Sequence, residues 1–307
     1  MQPLKQYFKQ SSSERHKAKA SERLSYFVIF MSDLVSIITP TYNCGHFVEE
    51  TIRSVIAQTY GSWEMIIVDD CSTDQTRDVI EKWVKQDSRI RYYRNEENLG
   101  PALTRNKALR EARGRWVAFL DSDDLWNPEK LERQIDFMSK NNYAFTYHLY
   151  DEIDEQSKPT GTKVSGPNHI TLWGMYAYCW PGCLTVMYDR NVIGEMQMDN
   201  IRICEDYALW LKITRKADCH LYPALMAHYR RRHGSISSLS LFKLIKCHYR
   251  MFSYADQRNP LMSFFLTILN IAFGSAKKVF YVKRRSCWTK IFVRNIAPDT
   301  VPVAEQR

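Results

Sequence analysis

From residue 34 to residue 138, short aliphatic runs alternate with segments whose apolar positions recur at helical spacing. Residues 34–39 read as a buried strand ended by Pro40, and residues 65–69 as a second strand. Between them Val48, Ile52, Val55 and Ile56 mark one face of a helix over 48–58, with Glu49 and Glu50 in its first turn. Ser72, Thr73 and Asp74 offer caps for a helix running to Trp83. A weaker third strand follows at 90–94, a helix at 100–112 and a fourth strand at 115–120, and Pro128 stands near the start of a helix through Met138. Strands alternating with helices of this length predict an α/β fold, a mostly parallel sheet with helices on both faces. Beyond 138 the pattern loosens. Residues 143–150 and 184–188 are strand-like, and 157–168, with two Pro and two Gly, predicts an exposed loop. Glu205 and Asp206 open a helix, and 227–237 is strongly basic.

Ligands of such sheets bind at the carboxyl ends of the strands, and the polar residues of this chain fall there. Thr39, Pro40, Thr41, Tyr42 and Asn43 follow the first strand, Asp69 and Asp70 the second, and Asp121, Ser122, Asp123 and Asp124 the fourth. Packing does not account for the last group, because one unpaired buried carboxylate is costly and neighbouring ones repel. A divalent cation relieves that repulsion. Asp oxygens suit Mg²⁺ or Mn²⁺, which fills its remaining positions with water and phosphate oxygens. The cluster therefore predicts a metal-bound diphosphate at a strand end.

Charge distribution changes the list of partners. The net charge of +9 over 307 residues would suggest nucleic acid if it were spread evenly. Instead residues 241–307 hold 12 Lys or Arg against 3 Asp or Glu, residues 1–31 hold 6 against 2, and residues 32–240 hold 25 against 29. The body is mildly acidic and carries no nucleic-acid motif, so no nucleic-acid partner is expected. In the tail an apolar run at 261–273 precedes Lys277, Lys278, Lys283, Arg284 and Arg285, interleaved with Val279, Phe280 and Tyr281. That run falls short of the roughly 20 apolar residues of a spanning helix. Its mixture of apolar and cationic residues predicts an amphipathic helix on an anionic membrane surface, with a C-terminal helix packed on the protein as the alternative. Residues 1–31 read as a disordered basic arm, with Met31 an alternative start, and they lack the apolar core of a secretory signal. The eight cysteines form no Cys-x-x-Cys pair and read as reduced thiols.

Six segments occur in a fixed order: Val35-Ser36-Ile37-Ile38-Thr39-Pro40-Thr41-Tyr42-Asn43, Asp69-Asp70-Cys71-Ser72-Thr73-Asp74, Arg105-Asn106, Asp121-Ser122-Asp123-Asp124, Glu205-Asp206-Tyr207-Ala208-Leu209-Trp210 and His233-Gly234-Ser235-Ile236-Ser237. Together they resemble the family 2 inverting glycosyltransferases of the GT-A (Rossmann-like) fold, of the type that builds bacterial O-antigen, capsule and other surface polysaccharides. The likeness spans residues 34–237 and departs at Cys71, where the family usually has Gly.

The resemblance implies a UDP-sugar donor whose diphosphate leaves as an acceptor hydroxyl attacks the anomeric carbon from the opposite face. It implies Asp123 as metal ligand for Mn²⁺ or Mg²⁺, with Asp121 on the ribose, a metal-bound water or the metal, and Ser122 in the same donor motif. Asp70 or Asp69 would accept the uracil imide hydrogen, and Thr39, Pro40 and Tyr42 would frame the base. Arg105 would reach the nucleotide or diphosphate, unless it is an exposed helix residue. Asp206 is implied as the base that deprotonates the acceptor, with Glu205 orienting it. Arg230, Arg231, Arg232 and His233 would lie on a mobile loop over the diphosphate. Two readings stay open elsewhere: Trp180 stacks on a sugar or belongs to the core, and Asp124 joins the metal cluster or caps the helix near Pro128.

The implied organisation is a catalytic domain over 32–240, divided into a nucleotide-sugar half (32–125) and an acceptor half (126–240), followed by a membrane-associating helical tail over 241–307. The implied reaction moves glucose or galactose in β-1,3 linkage onto an N-acetylhexosamine carried on a polyprenyl diphosphate, at the cytoplasmic face of the inner membrane. The alternative is a metal-dependent nucleotidyltransferase of sugar phosphates. It calls for a Gly-rich phosphate loop after the first strand, which residues 39–43 lack.

Overall fold

The computed structural model describes residues 33–232 and 241–284. Strand β1 (Val35–Thr41) lies between β2 (Trp63–Asp69) and β4 (Trp116–Phe119), parallel to both, and β3 (Ile90–Arg94) continues the sheet beyond β2. Helices α1 (Val48–Ile56), α2 (Thr76–Val84) and α3 (Pro101–Glu111) make the connections. The chain thus runs outward from β1 to β3 and returns to place β4 on β1's other side. That reversal opens a crevice at the carboxyl ends of β1 and β4.

Alternation along each strand feeds two cores. Val35, Ile37, Met65, Ile67, Trp116 and Ala118 enter one; Ile38, Ile66, Val68, Val117 and Phe119 enter the other. The first is covered by Val48, Ile52 and Val55 of α1 and by Leu131 and Met138 of α4 (Lys130–Asn141).

Next come β5 (Leu125–Trp126), β6 (Phe145–Ile153), β7 (Pro159–Val164), β8 (His169–Ile170), α5 (Leu172–Ala177), β9 (Met187–Asp189), α6 (Arg190–Ile193), α7 (Glu205–Thr214) and β10 (Cys219–Arg230). β9 pairs antiparallel with both β4 and β6, so one sheet runs through residues on either side of 125. β10 lies parallel to β6 and antiparallel to β5 and β8.

Two expectations change here. Within 157–168 the chain is not simply a loop: β7 is a strand with Pro at its first position and Gly161 at φ 82°, features that disguise it in the sequence. The basic stretch from 227 begins as the end of β10. Register shifts on either side of Leu225, just after Pro223, break that strand's period.

The tail forms α8 (Leu241–Arg250), a π-helical turn over Met251–Ala255, α9 (Pro260–Phe280) and β11 (Val282–Arg284), which pairs with β7. At 21 residues, α9 outruns the apolar stretch at 261–273 and is long and apolar enough to cross a membrane by length and composition. Its packing is inverted, however. The buried positions are Ser263, Leu266, Thr267 and Asn270, while Leu261, Phe264, Phe265, Ile268, Val279 and Phe280 are exposed. The seven cysteines among the described residues are free.

Candidate active site

Carboxylates at the end of β2 build two turns, the one that follows β2 and the one that follows β3. Asp69 is fully buried: Oδ1 accepts the Ser72 backbone N–H at 2.9 Å and its hydroxyl at 2.5 Å, and Oδ2 accepts the Tyr92 hydroxyl at 2.9 Å. Asp70 gathers the segment before α3, accepting from Asn95 Nδ2, Leu99 N–H and Gly100 N–H, each at 2.8 Å. Both acids therefore organise turns, and only Asp70 keeps an exposed edge, at 4%. Tyr42 is half exposed, whereas the Thr39 hydroxyl is buried with no partner among the described residues. Pro40 is partly exposed between them. Asn43 (φ 45°), Cys71 (φ 66°) and Cys204 (φ 66°) all adopt the left-handed region, one in each of three loops that bound the cleft. Left-handed non-glycine residues store strain and concentrate at functional sites.

Arg105 joins the two halves of the site. It is 6% exposed, so it is not the exposed helix residue. Nη2 lies 2.5 Å from Asp121 Oδ1 and Nη1 lies 2.9 Å from Glu205 Oε1. One guanidinium on α3 thus ties the acidic loop after β4 to the first residue of α7. Burial pushes the Glu205 carboxyl up to about 7; Arg105 opposes this and Asp206 adds to it. Burial also raises the Asp206 carboxyl, against Arg105 and the Tyr207 N–H, which donates to Oδ1 at 2.7 Å. A carboxylate kept above its ordinary range can accept a proton near neutral pH.

The other two aspartates of the loop differ in role. Burial raises the Asp123 carboxyl, Arg232 pulls it down and Asp121 pushes it further up. Its Oδ2 is 2.6 Å from Arg232 Nε. Asp124 is 1% exposed and accepts the Arg230 backbone N–H at 2.8 Å, so here it clasps the end of β10 rather than capping the helix near Pro128. Ser122 is buried, and its carbonyl accepts from Cys44 Sγ at 3.4 Å.

Arg230 also departs from expectation. It is not on a loop over the cleft but buried at the end of β10, donating to the Asp123 carbonyl (2.7 Å), Ser157 Oγ (2.8 Å) and Glu50 Oε2 (2.6 Å). Arg231 turns the other way to Glu152 at 2.6 Å. Of the three guanidiniums that of Arg232 alone meets an aspartate side chain of the cluster, a role sequence reasoning left undivided among neighbours. Glu50 was missed as well, because its partner lies 180 residues away. His233 lies outside the described residues, as do the arm over 1–31 and Gly234 to Ser237.

Trp180 takes the core alternative. It is 6% exposed, donates from Nε1 to the Gly174 carbonyl at 3.0 Å and packs against Tyr178, Phe273 and Tyr281.

The donor set suits a hard divalent cation. Asp121 and Asp123 offer carboxylate oxygens, the hard ligands such a cation takes. Among the described residues no group of three or more acidic, His or Cys side chains converges as a closed metal cage.

Comparison with known proteins bears on the family and the fold. Residues 36–177 match the family described as glycosyl transferase family 2. The chain is 45% identical over 206 residues to the putative teichuronic acid biosynthesis glycosyltransferase TuaG of Bacillus subtilis, covering 67% of this chain and 82% of that one. It is 38% identical over 252 residues to WfgD of Escherichia coli, a UDP-Glc:alpha-D-GlcNAc-diphosphoundecaprenol beta-1,3-glucosyltransferase, covering 81% and 97%. Among solved structures, S. aureus TarS 1–349 with UDP-GlcNAc superposes with a TM-score of 0.60 at 22% identity, over 81% of this chain and 73% of that one. The Pyrobaculum calidifontis mannosyltransferase PcManGT with GDP-Man and Mn²⁺ gives 0.56 at 17%, over 79% and 75%. These likenesses place the chain on the GT-A fold.

Proposed function

The chain belongs to glycosyl transferase family 2, and from that premise we propose that it moves glucose or galactose from the UDP-sugar, with inversion, onto a polyprenyl-diphosphate-linked N-acetylhexosamine in β-1,3 linkage. The observation that carries this is the Arg105 bridge, which holds the acidic loop after β4 and the Glu205-Asp206 pair in one cleft. Two relatives at 38% identity act on such a donor and acceptor by name, which supports the finer reading. Family membership decides against a nucleotidyltransferase.

In this reading Tyr42 covers the uracil, Asp70 accepts its imide hydrogen, and Asp121 faces the ribose. Mn²⁺ or Mg²⁺, held by Asp123 with help from Asp121, would neutralise charge on the leaving diphosphate. Arg232 then exchanges Asp123 for the diphosphate, and Arg230 keeps the loop's backbone in place. Asp206 removes the proton from the acceptor hydroxyl as it attacks, while Glu205, fixed by Arg105, orients the acceptor sugar.

The tail supports a peripheral place on the cytoplasmic leaflet. The polar stripe of α9 faces the domain, where Asn270 Nδ2 donates to the Tyr207 hydroxyl at 2.6 Å and Lys277 Nζ to the Trp180 carbonyl at 2.9 Å. The apolar stripe, with Phe264 and Phe265 each 58% exposed, is left for a lipid surface. Because Tyr207 follows Asp206, that contact sets the base at a fixed height above the bilayer.

The test is incubation with Mn²⁺, a panel of UDP-sugars and a synthetic lipid-diphosphate N-acetylhexosamine, with product identification. Asp206→Asn should retain UDP-sugar binding and lose about 10²–10⁴-fold in transfer. Turnover by that variant close to wild type would remove Asp206 from the role.

A further inference from the structure

A cavity of about 340 Å³ lies beside the cleft, between the segment before α3, residues 200–203 and the end of α8. Three of its boundaries connect it to the site. The wall at Leu99 and Gly100 is held by the Asp70 carboxylate. Pro101, also in the wall, sits one turn before Arg105 on the same face of α3. The opposite wall ends at Ile203, and the left-handed Cys204 then turns the chain directly into Glu205 and Asp206. Its floor is Cys247, Arg250 and Met251, from the helix that leads toward the exposed apolar face of the tail.

The lining combines aliphatic walls with two guanidiniums. Arg202 and Arg250 are both exposed, and neither has an ion-pair partner among the described residues. Among the described residues, the other arginines that bound the catalytic cleft, Arg105, Arg230 and Arg232, are each matched to a carboxylate or carbonyl. Two unmatched guanidiniums lining one cavity with apolar walls suit an anion that carries a hydrocarbon chain, because guanidinium binds phosphate oxygens in bidentate fashion and the chain needs an apolar exit.

We propose that this cavity binds the diphosphate of the lipid-linked acceptor, with Arg202 and Arg250 on its phosphate oxygens, the sugar passing toward Asp206 and the isoprenoid leaving along α8. The proposal rests on the glycosyltransferase reading for its substrate class, yet its binding site can be tested without turnover. It also explains how the enzyme separates its two diphosphates: the donor's lies against the loop after β4, the acceptor's on the far side of residues 98–101.

The experiment uses the full chain and a sugar-free lipid diphosphate, undecyl diphosphate, as probe. Binding is followed by calorimetry and by the rate at which Cys247 is alkylated, read by peptide mass spectrometry. The probe should slow Cys247 alkylation in the wild type. Arg202→Gln and Arg250→Gln should each weaken probe binding about tenfold or more, as expected for losing a charge-assisted phosphate contact, and leave UDP binding unchanged. In transfer assays the same variants should raise KM for the lipid-diphosphate acceptor but not for an alkyl N-acetylhexosaminide that lacks phosphate. Unaltered probe binding by the double variant would overturn the assignment. Equal protection of Cys247 by anionic vesicles alone would also overturn it, and would assign the arginines to bilayer headgroups. Protection by the probe in a protein that transfers from no UDP-sugar would leave the site standing and sink the activity.

Discussion

Replacing Arg105 by Met removes a guanidinium that is 6% exposed and satisfies two carboxylates at once, Asp121 at 2.5 Å and Glu205 at 2.9 Å. Breaking a buried ion pair by deleting one partner costs about 3–5 kcal/mol when the other charge stays buried. Neither orphan here is fully trapped. The Asp121 side chain is 30% exposed and can rehydrate, and the Glu205 carboxyl, already raised by burial to about 7, can take up a proton. The expected loss at pH 8 is therefore near the lower bound, about 3 kcal/mol. Its pH dependence follows from linkage. A carboxyl whose folded pKa exceeds its unfolded value binds more protons in the native state between those two values, so stability falls as pH rises through that window. At pH 5.5 Glu205 is protonated in the wild type too, Arg105 serves Asp121 alone, and the loss should shrink to about 1 kcal/mol. Urea denaturation of wild type and Arg105→Met at pH 5.5 and pH 8 measures both. Equal losses at the two pH values would refute the Glu205 part of the reasoning. A loss below about 0.5 kcal/mol at pH 8, the scale of an exposed pair, would refute the bridge itself.

Three more outcomes are expected. Wild-type stability should decline between the ordinary Glu value of 4.5 and about 7 because of Glu205, and Glu205→Gln should flatten thermal melts across that range. Cys71→Gly should raise Tm by about 2–4 °C, because φ 66° strains a non-glycine residue by about 1–2 kcal/mol; an unchanged or lowered Tm would show that the Cys71 side chain contributes more than its conformation costs. Phe264→Glu with Phe265→Glu should move the protein from pelleted anionic vesicles to the supernatant without lowering its Tm, since both rings are 58% exposed; retention on vesicles would transfer the docking role to another surface.

The sheet from β1 to β4 was legible because each strand keeps an unbroken apolar run and each connecting helix keeps its spacing, so local pattern and global topology agree. Where β7 and β10 were hidden, a Pro, a left-handed Gly161 or a bulge near Pro223 interrupts the period on which reading depends. The site divides the same way. Aspartates at strand ends announce themselves, since nothing in packing wants them there. The arginines do not. Arg230, Arg231 and Arg232 are consecutive in sequence and end on Asp123's carbonyl, Glu152 and Asp123's carboxylate, and only the alternation at the end of β10 decides which points where. That division has a chemical consequence. Arg232 is paired with Asp123, and Arg105 with Asp121. In the proposed reading, a cation held by Asp123 would take the guanidinium's place there and would leave Arg232 for phosphate. Such an exchange would keep the buried carboxylates paired throughout and would avoid leaving either guanidinium or carboxylate stranded in a desolvated cleft.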